Sequence, residues 1–358
     1  MDSFFKDLKV VELANVLAGP AVGMFFSELG AEVIKIENKL TNGDVTRTWK
    51  LASENKETAI SAYYASVNWN KKSIFLDLNR PEDKQQVYNF IKDADIVISN
   101  YKPGDDLKLN MDYETLKKIN STIIYAHLTG FGKTNKRTAY DIVLQAETGF
   151  MYMNGTPESG PLKLPVALID ILAAHQMKEA ILIALIKRLK TGKGSAIHVS
   201  LFDSAIASLA NQASNWLMTK FNPQPIGSLH PNIAPYGEIF TTKDKKQIVL
   251  AIGTDKQFEK LCIELKAEDF VKNPKFVTNS ERVKNRNELF VLLQPIFEKH
   301  LSAELMKTFI LTDIPAGLIK SIKEVFEDSE INSLIITKNN DVDNDSKRVK
   351  TLAFSFSD

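Results

Sequence analysis

The stretch LKVVELANVLAGPAVGMFFSELGAEVIKIE, residues 8–37, carries the features that decide the fold. Residues 8–13, with Val10 and Val11 at their centre, predict a buried strand, and a short loop follows it. Proline suits the first turn of a helix and glycine its end, so Pro20 and Gly30 bracket a predicted helix. Residues 31–37 predict a second strand. Together these elements make a β-α-β unit of about 30 residues.

The same alternation of strand and helix patterns continues through the first half of the chain. Further strands are predicted at residues 73–78, 96–99 and 121–126, with helical segments between them. Strands that alternate with helices form parallel sheets covered on both faces. The predicted fold class is therefore α/β, with a doubly wound, mostly parallel, Rossmann-like sheet in a large domain. Ligands of such sheets bind beyond the carboxyl ends of the strands.

A change of pattern divides the chain. Prolines and glycines interrupt regular structure at residues 223–235, and a hairpin pattern follows at 238–251, which predicts a domain boundary. The predicted parts are a large α/β domain at 1–222, a small α+β domain at 223–310 and a segment at 311–358 that returns to the large domain. The return segment is polar in its middle, at residues 339–345, and is expected to form a hairpin.

Length and composition are typical of an ordinary soluble protein of about two domains. The 358 residues include 45 basic and 44 acidic side chains, so the net charge of +1 does not favour nucleic acid or a membrane surface as a partner. No apolar run approaches the roughly 20 residues that span a bilayer, and residues 1–7 lack a signal-peptide pattern. The single cysteine, Cys262, excludes an internal disulfide and suits a reducing compartment. We therefore expect a cytoplasmic enzyme.

Asp170 is the most informative single residue. It follows the apolar stretch 165–169 and precedes a helical pattern at 171–190. An acid at such a switch from strand to helix would lie beside the free N–H groups and the positive dipole end of the helix, which stabilise its anion. A carboxylate held out of bulk water is a usable nucleophile. The alternative is that Asp170 only caps the helix, because aspartate is a favoured cap residue.

Other motifs in the sequence give weaker signals. Glu37 ends the second strand, where a dinucleotide-binding fold places an acid on the adenine ribose, but the preceding loop has one glycine instead of three. The segment Gly132-Lys133-Thr134 ends like a phosphate loop, but His127 stands where its first glycine is needed. The five histidines include no pair at metal-ligand spacing, so no metal site is expected.

An ordered set of segments resembles the class III coenzyme A-transferase family, which also contains 2-methylacyl-CoA racemases. The matching segments occur in family order over roughly residues 8–330. They are residues 11–20, LGAEVIKIE at 29–37, NKKSI at 70–74, NYKPG at 100–104, YDIVLQA at 140–146, TGKG at 191–194, HPNIAPY at 230–236 and IPAG at 314–317. The resemblance implies a doubly wound large domain, a smaller domain and a homodimer whose two chains interlock like linked rings.

The resemblance also implies roles for particular residues. Asp170 matches the family's catalytic aspartate, which attacks an acyl-CoA thioester to give an aspartyl–acyl anhydride and then an aspartyl-CoA thioester. An incoming carboxylic acid takes the CoA through a second anhydride. Contacts with CoA are implied for Asn15, Val16, Leu17, Ala18, Leu76, Asn100, Tyr101, Lys108, Leu109 and Tyr140. Lys71, Lys72 and Arg137 are further candidate partners for the CoA phosphates.

The expected substrates are an acyl-CoA and a carboxylic acid, with CoA as co-substrate and no tightly bound cofactor. One alternative is a racemase of the same fold, which needs acid–base groups on both sides of the reacting carbon, one of them a histidine in the family. Tyr140 stands at that position, and a tyrosine is a poor base at neutral pH. The other alternative is a CoA-binding protein without catalysis, although a pure binder needs no nucleophile at Asp170.

Two positions depart from the family pattern. Asn38 replaces an arginine that some relatives place toward the adenine end of CoA, and Leu17 replaces a glutamine that formyl-CoA transferases use near the acyl group. The sequence also lacks the final acidic-His-Thr segment that longer relatives carry. The acyl group and the acceptor acid therefore cannot be read from these motifs.

Overall fold

The computed structural model describes residues 4–338, 346–355 and 357. The polar middle of the expected C-terminal hairpin, residues 339–345, lies outside the described residues. The chain divides into two compact units. Unit 1 comprises Met1–Tyr152, Leu162–Pro223 and Asn332–Asp358, and unit 2 comprises Met153–Pro161 and Gln224–Ile331.

Strands and helices alternate through most of the chain. The strands are β1 (Lys9–Leu13), β2 (Glu32–Asn38), β3 (Lys72–Leu76), β4 (Ile96–Ser99), β5 (Ile124–Thr129), β6 (Gly155–Thr156), β7 (Gly160–Pro161), β8 (Ser195–Ser200), β9 (Tyr236–Thr241), β10 (Gln247–Ala251), β11 (Ala316–Leu318), β12 (Ile335–Lys338) and β13 (Ser346–Val349). The helices are α1 (Ala18–Glu28), α2 (Ala62–Val67), α3 (Pro81–Lys92), α4 (Asp105–Leu109), α5 (Tyr113–Ile119), α6 (Asp141–Glu147), α7 (Phe150–Met153), α8 (Leu168–Thr191), α9 (Leu201–Ala207), α10 (Ala210–Thr219), α11 (Asp255–Glu264), α12 (Asp269–Lys272), α13 (Asn279–Lys284), α14 (Arg286–Phe297), α15 (Ser302–Leu311) and α16 (Ile322–Phe326).

Unit 1 is built on a six-stranded sheet in the order β3-β2-β1-β4-β5-β8. Every neighbouring pair in it is parallel, which confirms the predicted α/β class. The five strands predicted in the first half of the chain are all present, with ends shifted by a few residues. The sixth strand, β8, was not predicted. Its sequence SAIHVS mixes polar and apolar residues, and most of its side chains are only half-buried at the sheet edge.

Helices cover both faces of this sheet, as expected for a doubly wound fold. Successive side chains of a strand point to opposite faces. Val10 of β1 therefore packs in the apolar cluster under α1 and α8, whereas its neighbour Val11 packs in the cluster under α3 and α5. The longest helix, α8, lies against α1 and β8.

The order of the strands creates a crevice between β1 and β4. From β1 the chain moves outward to β2 and β3, and it then returns to the other side of β1 to form β4 and β5. The loops that follow β1 and β4 consequently leave in opposite directions and open a space at the carboxyl end of the sheet. Residues 14–17 and 100–104 form these two loops.

Unit 2 contains a three-stranded antiparallel sheet, β11-β10-β9, with helices α11 to α15 packed around one apolar core. The predicted hairpin corresponds to β9 and β10. Unit 2 extends to Ile331, beyond the predicted end at residue 310, because β11 pairs with β10. It also includes residues 153–161, which the sequence did not indicate; within this piece the Gly155 carbonyl accepts a hydrogen bond from the Gly227 N–H.

The return segment contributes an antiparallel hairpin, β12 and β13, to unit 1. Arg348 of β13 forms a buried ion pair with Glu28 of α1 and lies over the ring of Trp69. Cys262 is completely buried in unit 2, and burial raises the pKa of its thiol to about 12, so it is unreactive near neutral pH. No helix among residues 4–338 and 346–355 is both long and apolar enough to cross a membrane.

Candidate active site

A cleft of about 450 Å³ lies at the carboxyl ends of β1, β4 and β5. Its walls are the loops that follow these strands. Five of the ten residues expected to contact CoA line it, namely Asn15, Val16, Asn100, Tyr101 and Tyr140. The structure therefore brings residues from three distant parts of the sequence together at the point where the strand order favours ligand binding.

The other five expected CoA contacts do not line this cleft. Leu17 and Ala18 stand at the start of α1, where Ala18 is buried. Leu76 is buried at the end of β3, and Leu109 packs in the apolar cluster on the same side of the sheet as α3. Lys108 is exposed, and its ammonium lies 2.8 Å from Asp105, which does line the cleft.

Asn100 ties the loop after β4 to the loop after β1. Its Oδ1 accepts a hydrogen bond of 3.0 Å from the Asn15 N–H, and its Nδ2 donates one of 2.8 Å to the Asn15 carbonyl. The next residue, Val16, has a φ of 72°, a left-handed conformation that a β-branched residue rarely adopts. Its N–H donates to Asp44 at 3.0 Å. Such strain persists only where the surroundings enforce it, and it is concentrated at functional sites.

Asp44 belongs to a buried network of charges beneath the first loop. The Lys35 ammonium lies 3.0 Å from Glu12 and 3.2 Å from Asp44, and all three side chains are fully buried. Lys35 also donates a hydrogen bond to the Ala14 carbonyl. The carboxylates raise the pKa of Lys35 in spite of its burial, so it stays charged. Lys35 thus joins the end of β1 to the residue that holds Val16.

Two residues singled out in the sequence serve this network instead of the cleft. The candidate phosphate partner Lys71 is fully buried, lies 2.7 Å from Glu12 and donates to the Pro20 carbonyl. Burial lowers the pKa of Lys71 to about 8. Glu37, the residue weighed as a ribose ligand, accepts hydrogen bonds from Arg47 and from the Asp44 N–H. Lys71 is therefore not a phosphate partner, because its donors are already used inside the fold.

The basic residues at the cleft come from two loops. Lys102, which was not among the predicted phosphate partners although it lies inside the NYKPG segment, lines the cleft and donates to Thr138 at 2.7 Å. Arg137 also lines the cleft and pairs with Glu147. Lys72, in contrast, pairs with Glu32 on the exposed surface. Lys102 and Arg137 are thus the cations placed to meet an anionic ligand in this cleft.

Asp170 is the third residue of α8 and does not stand at a switch from strand to helix. Residues 162–167 form no strand, and α8 begins at Leu168 after Ala167, with no side-chain cap. The strand-to-helix placement was therefore wrong. The side chain does not cap the helix either, since none of the described residues donates a hydrogen bond to the Asp170 carboxyl. The residue is only 8% exposed.

Burial, and to a smaller extent the negative charge of Asp141, together raise the pKa of Asp170 from 3.8 to about 7. The position near a helix N-terminus should favour the anion. Burial without hydrogen-bond donors outweighs that effect, because removing a carboxylate from water disfavours its charged form. The expectation of a stabilised anion was therefore wrong, and the Asp170 anion is instead poorly solvated and basic.

Two further side chains act on Asp170. Asp141 begins α6, directly after the cleft residue Tyr140, and its Oδ1 accepts a hydrogen bond of 2.7 Å from the Ile169 N–H. Tyr63 has its pKa raised to about 12 by burial and by the charge of Asp170, so its hydroxyl stays protonated. A hydroxyl near a reacting carboxylate can stabilise developing negative charge. Only Asp141 had a signal in the sequence, because it lies in the segment YDIVLQA at 140–146, and no motif indicated Tyr63.

The buried network gives a testable expectation for stability. Replacing Lys35 by methionine should lower the free energy of unfolding by about 3–5 kcal/mol, because Glu12 and Asp44 would be left buried beside one another without their shared cation. Urea denaturation measures the change. Lys9→Met, which alters an exposed lysine of the same β-α-β unit, is the matched control and should stay within about 0.5 kcal/mol of the wild type. If Lys35→Met lowered the free energy of unfolding by less than about 1 kcal/mol, Lys35 would not be the cation that Glu12 and Asp44 need.

The raised pKa of Asp170 makes stability depend on pH. The folded protein keeps this carboxyl protonated up to about pH 7, whereas the unfolded chain releases the proton near pH 3.8, so the charge destabilises the fold progressively as pH rises between these values. Asp170→Asn removes that charge. Its melting temperature should match the wild type at pH 4 and exceed it by at least about 2 °C at pH 8. If Asp170→Asn and the wild type had equal melting temperatures at pH 8, the prediction that an ionised, buried Asp170 destabilises the fold would be wrong.

No set of three or more histidine, cysteine, aspartate or glutamate side chains able to hold a metal ion occurs within the described part of the chain. The chemistry available around Asp170 is that of a carboxylate and a tyrosine hydroxyl. Asp170 itself does not line the cleft with its two basic side chains, and it is connected to that cleft through Asp141 and the lining residue Tyr140. A carboxylate and a hydroxyl together suit covalent exchange at an acyl carbon.

Known proteins are similar to this chain in sequence and in fold. The family described as CoA-transferase family III matches residues 5–358. The succinate–glutarate CoA-transferase of Agrobacterium fabrum is 37% identical over 330 residues, which cover 90% of this chain and 82% of the relative. Human succinyl-CoA:glutarate CoA-transferase is 36% identical over 327 residues, covering 90% and 73%. The crystal structure of a CaiB/BaiF family protein from Brucella suis superposes with a TM-score of 0.88 at 37% identity, covering 100% of this chain and 94% of the other. The chain belongs to CoA-transferase family III.

Proposed function

We propose that this protein transfers CoA from an acyl-CoA to a carboxylic acid, with Asp170 as the nucleophile. The observation that carries the proposal is the buried Asp170 carboxyl. Its pKa is raised to about 7, and its charge does not stabilise the fold. A residue that only capped α8 would accept a hydrogen bond from the helix. Asp170 accepts none from the described residues, and its charge destabilises the fold, which is typical of a group retained for chemistry.

The reaction needs four exchanges at carbonyl carbons. The Asp170 carboxylate attacks the thioester carbon, the C–S bond breaks, and an aspartyl–acyl anhydride and the CoA thiolate form. The thiolate attacks the aspartyl carbonyl and releases the first acid, leaving an aspartyl-CoA thioester. The acceptor carboxylate attacks that thioester to give a second anhydride, and the thiolate then attacks the acceptor's acyl carbon and frees Asp170. Each step breaks one acyl bond as it forms another, so the thioester energy is conserved.

The surroundings of Asp170 suit these steps. Burial leaves the carboxylate poorly solvated, which makes it a better nucleophile, and it also keeps water away from the anhydrides. The Tyr63 hydroxyl stays protonated and is close enough to Asp170 for that charge to raise its pKa, so we propose that it donates to the oxyanion that forms at each attacked carbonyl. Activity should therefore rise with pH through about 7, as Asp170 ionises.

CoA is expected in the cleft between the loops after β1 and β4. Asn15, Val16, Asn100, Tyr101 and Tyr140 line it, and Lys102 and Arg137 supply positive charge for the phosphates. The CoA contacts proposed at Leu17, Ala18, Leu76, Lys108 and Leu109 would require a ligand that extends beyond this cleft. The family resemblance further supports an interlocked homodimer.

We infer that the acceptor is a dicarboxylic acid. The Agrobacterium and human relatives are named for succinate or succinyl-CoA and for glutarate, and they match about nine-tenths of this chain. The racemase alternative gains no support from the site, because Tyr140 at the position of the racemase base is half-exposed in the cleft. A binder without catalysis would not explain the buried Asp170.

The nucleophile can be tested by trapping. Incubation of the wild type with an acyl-CoA and hydroxylamine should convert Asp170 to a hydroxamate that peptide mass spectrometry detects, because hydroxylamine attacks the anhydride or thioester. Asp170→Ala should give no adduct and less than about a hundredth of wild-type turnover while staying folded, since its side chain makes no hydrogen bond that would be lost. Asp93→Ala, at an exposed position after α3, is the control. If Asp170→Ala kept more than about a hundredth of wild-type turnover, Asp170 could not be the nucleophile.

The cleft can be tested by CoA affinity. Lys102→Ala should raise the dissociation constant of CoA about ten-fold, a loss of about 1.4 kcal/mol, because one cation would be removed from the phosphate region. Calorimetry at two salt concentrations measures the effect and its electrostatic part. Lys117→Ala, on the exposed face of α5, should leave the affinity unchanged. Equal affinities for the two variants would mean that the phosphates bind elsewhere.

A further inference from the structure

Gln145 is a completely buried side chain that the proposed reaction does not use. It lies on α6, one turn after Asp141, and it lines neither the cleft nor any surface of the described chain. A buried amide is retained only where its hydrogen bonds are satisfied, because an unpaired polar group in the interior is costly. Its partners therefore indicate what it holds in place.

The Gln145 amide bridges Asp141 and the segment that precedes α8. Its Oε1 accepts a hydrogen bond of 2.8 Å from the Leu164 N–H. Because a backbone N–H can only donate, this contact fixes the orientation of the amide. The Nε2 group then faces the second oxygen of Asp141, with the carbonyls of Leu164 and Val166 at 3.4 and 3.5 Å. One side chain thus engages two separate stretches of the chain.

Both stretches lead to Asp170. Asp141 receives the Gln145 amide on Oδ2 and the Ile169 N–H on Oδ1, so a continuous chain of hydrogen bonds runs from Gln145 to the residue next to Asp170. Leu164 and Val166 belong to the segment directly before Leu168, where α8 begins. Gln145 therefore restrains the first turn of α8 from two directions without touching the Asp170 carboxyl.

We propose that Gln145 is a positioning residue for the transfer reaction: it holds Asp141 and the segment before α8 so that Asp170 is presented in its reactive geometry. The inference rests on the proposed role of Asp170 as nucleophile. Displacing a reacting group by about 1 Å can cost about 100-fold in rate, so loss of this restraint should slow chemistry more than it weakens substrate binding.

Among the described residues, Asp141 of α6 is the charged side chain that raises the pKa of Asp170, and Gln145 contacts it. Asp170, Asp141 and Asp44 in turn raise the pKa of Tyr63 on α2, so all four groups belong to one electrostatic cluster. Gln145→Leu keeps the volume but releases Asp141, so less of its negative charge acts on Asp170. Gln145→Glu can still accept from Leu164, but it loses the donor to Asp141 and adds a carboxylate. The two variants should therefore shift the pH dependence in opposite directions.

The experiment compares kcat, KM for the acyl-CoA and the pH profile of kcat in the wild type, Gln145→Leu, Gln145→Glu and Thr148→Val. Thr148→Val removes a buried hydrogen bond from the end of the same helix without touching Asp141 or Leu164. Both Gln145 variants should lower kcat at least about ten-fold with KM within about two-fold. The pH at which kcat shows its inflection should be lower in Gln145→Leu and higher in Gln145→Glu than in the wild type. Thr148→Val should change neither kcat nor that pH.

Unchanged kcat and pH inflection in the Gln145 variants, with only a lower melting temperature, would overturn the inference and leave Gln145 a purely structural residue. Should Gln145→Leu fail to fold, Gln145→Glu decides alone, since it preserves the bond to Leu164. Asp170→Ala separates this result from the proposed function. If Asp170→Ala keeps turnover, the nucleophile is wrong; if it is inactive while both Gln145 variants behave like the wild type, only the positioning role fails.

Discussion

The ammonium of Lys35, held between Glu12 and Asp44, is the contact on which the arrangement of the site depends. It fixes Asp44, and Asp44 in turn holds Val16 in a conformation that this residue would otherwise avoid. Buried ion pairs add little net stability compared with apolar packing, because both charges lose their hydration. The network is therefore better explained by what it positions, a strained loop at the mouth of the cleft, than by the stability it provides.

Asp170 shows two physical effects in opposition. The N-terminus of α8 favours a negative charge, while burial and the neighbouring Asp141 disfavour it, and burial prevails. A more solvated carboxylate would be ionised at all physiological pH values. Burial instead leaves the charge of Asp170 poorly solvated and present only near neutral pH and above, which suits the nucleophile that we propose. Asp141 contributes to this balance from α6, and the charge of Asp170 in turn raises the pKa of Tyr63 on α2.

Much of the fold could be predicted because its signals are local. The apolar runs of β1 to β5 and the brackets of α1 depend on neighbouring residues, and they indicated the parallel sheet and the loops that form the cleft. The predictions that were wrong concern side chains whose environment is set by tertiary packing. Lys71 was predicted to be a partner of the CoA phosphates, but it pairs with the buried Glu12, a contact that the local sequence does not reveal. The raised pKa of Asp170 likewise depends on packing that no periodicity encodes. The half-buried edge strand β8 lacked a clear apolar alternation.

The return of the C-terminal hairpin to unit 1 has a consequence for folding during synthesis. Arg348 pairs with Glu28 and Thr351 bonds to the same carboxylate across 323 residues of sequence, with the whole of unit 2 inserted between them. Contacts between such distant residues form slowly, because a long loop must close before they are gained. On the ribosome, unit 1 must therefore wait, open at this edge, until nearly the entire chain has emerged.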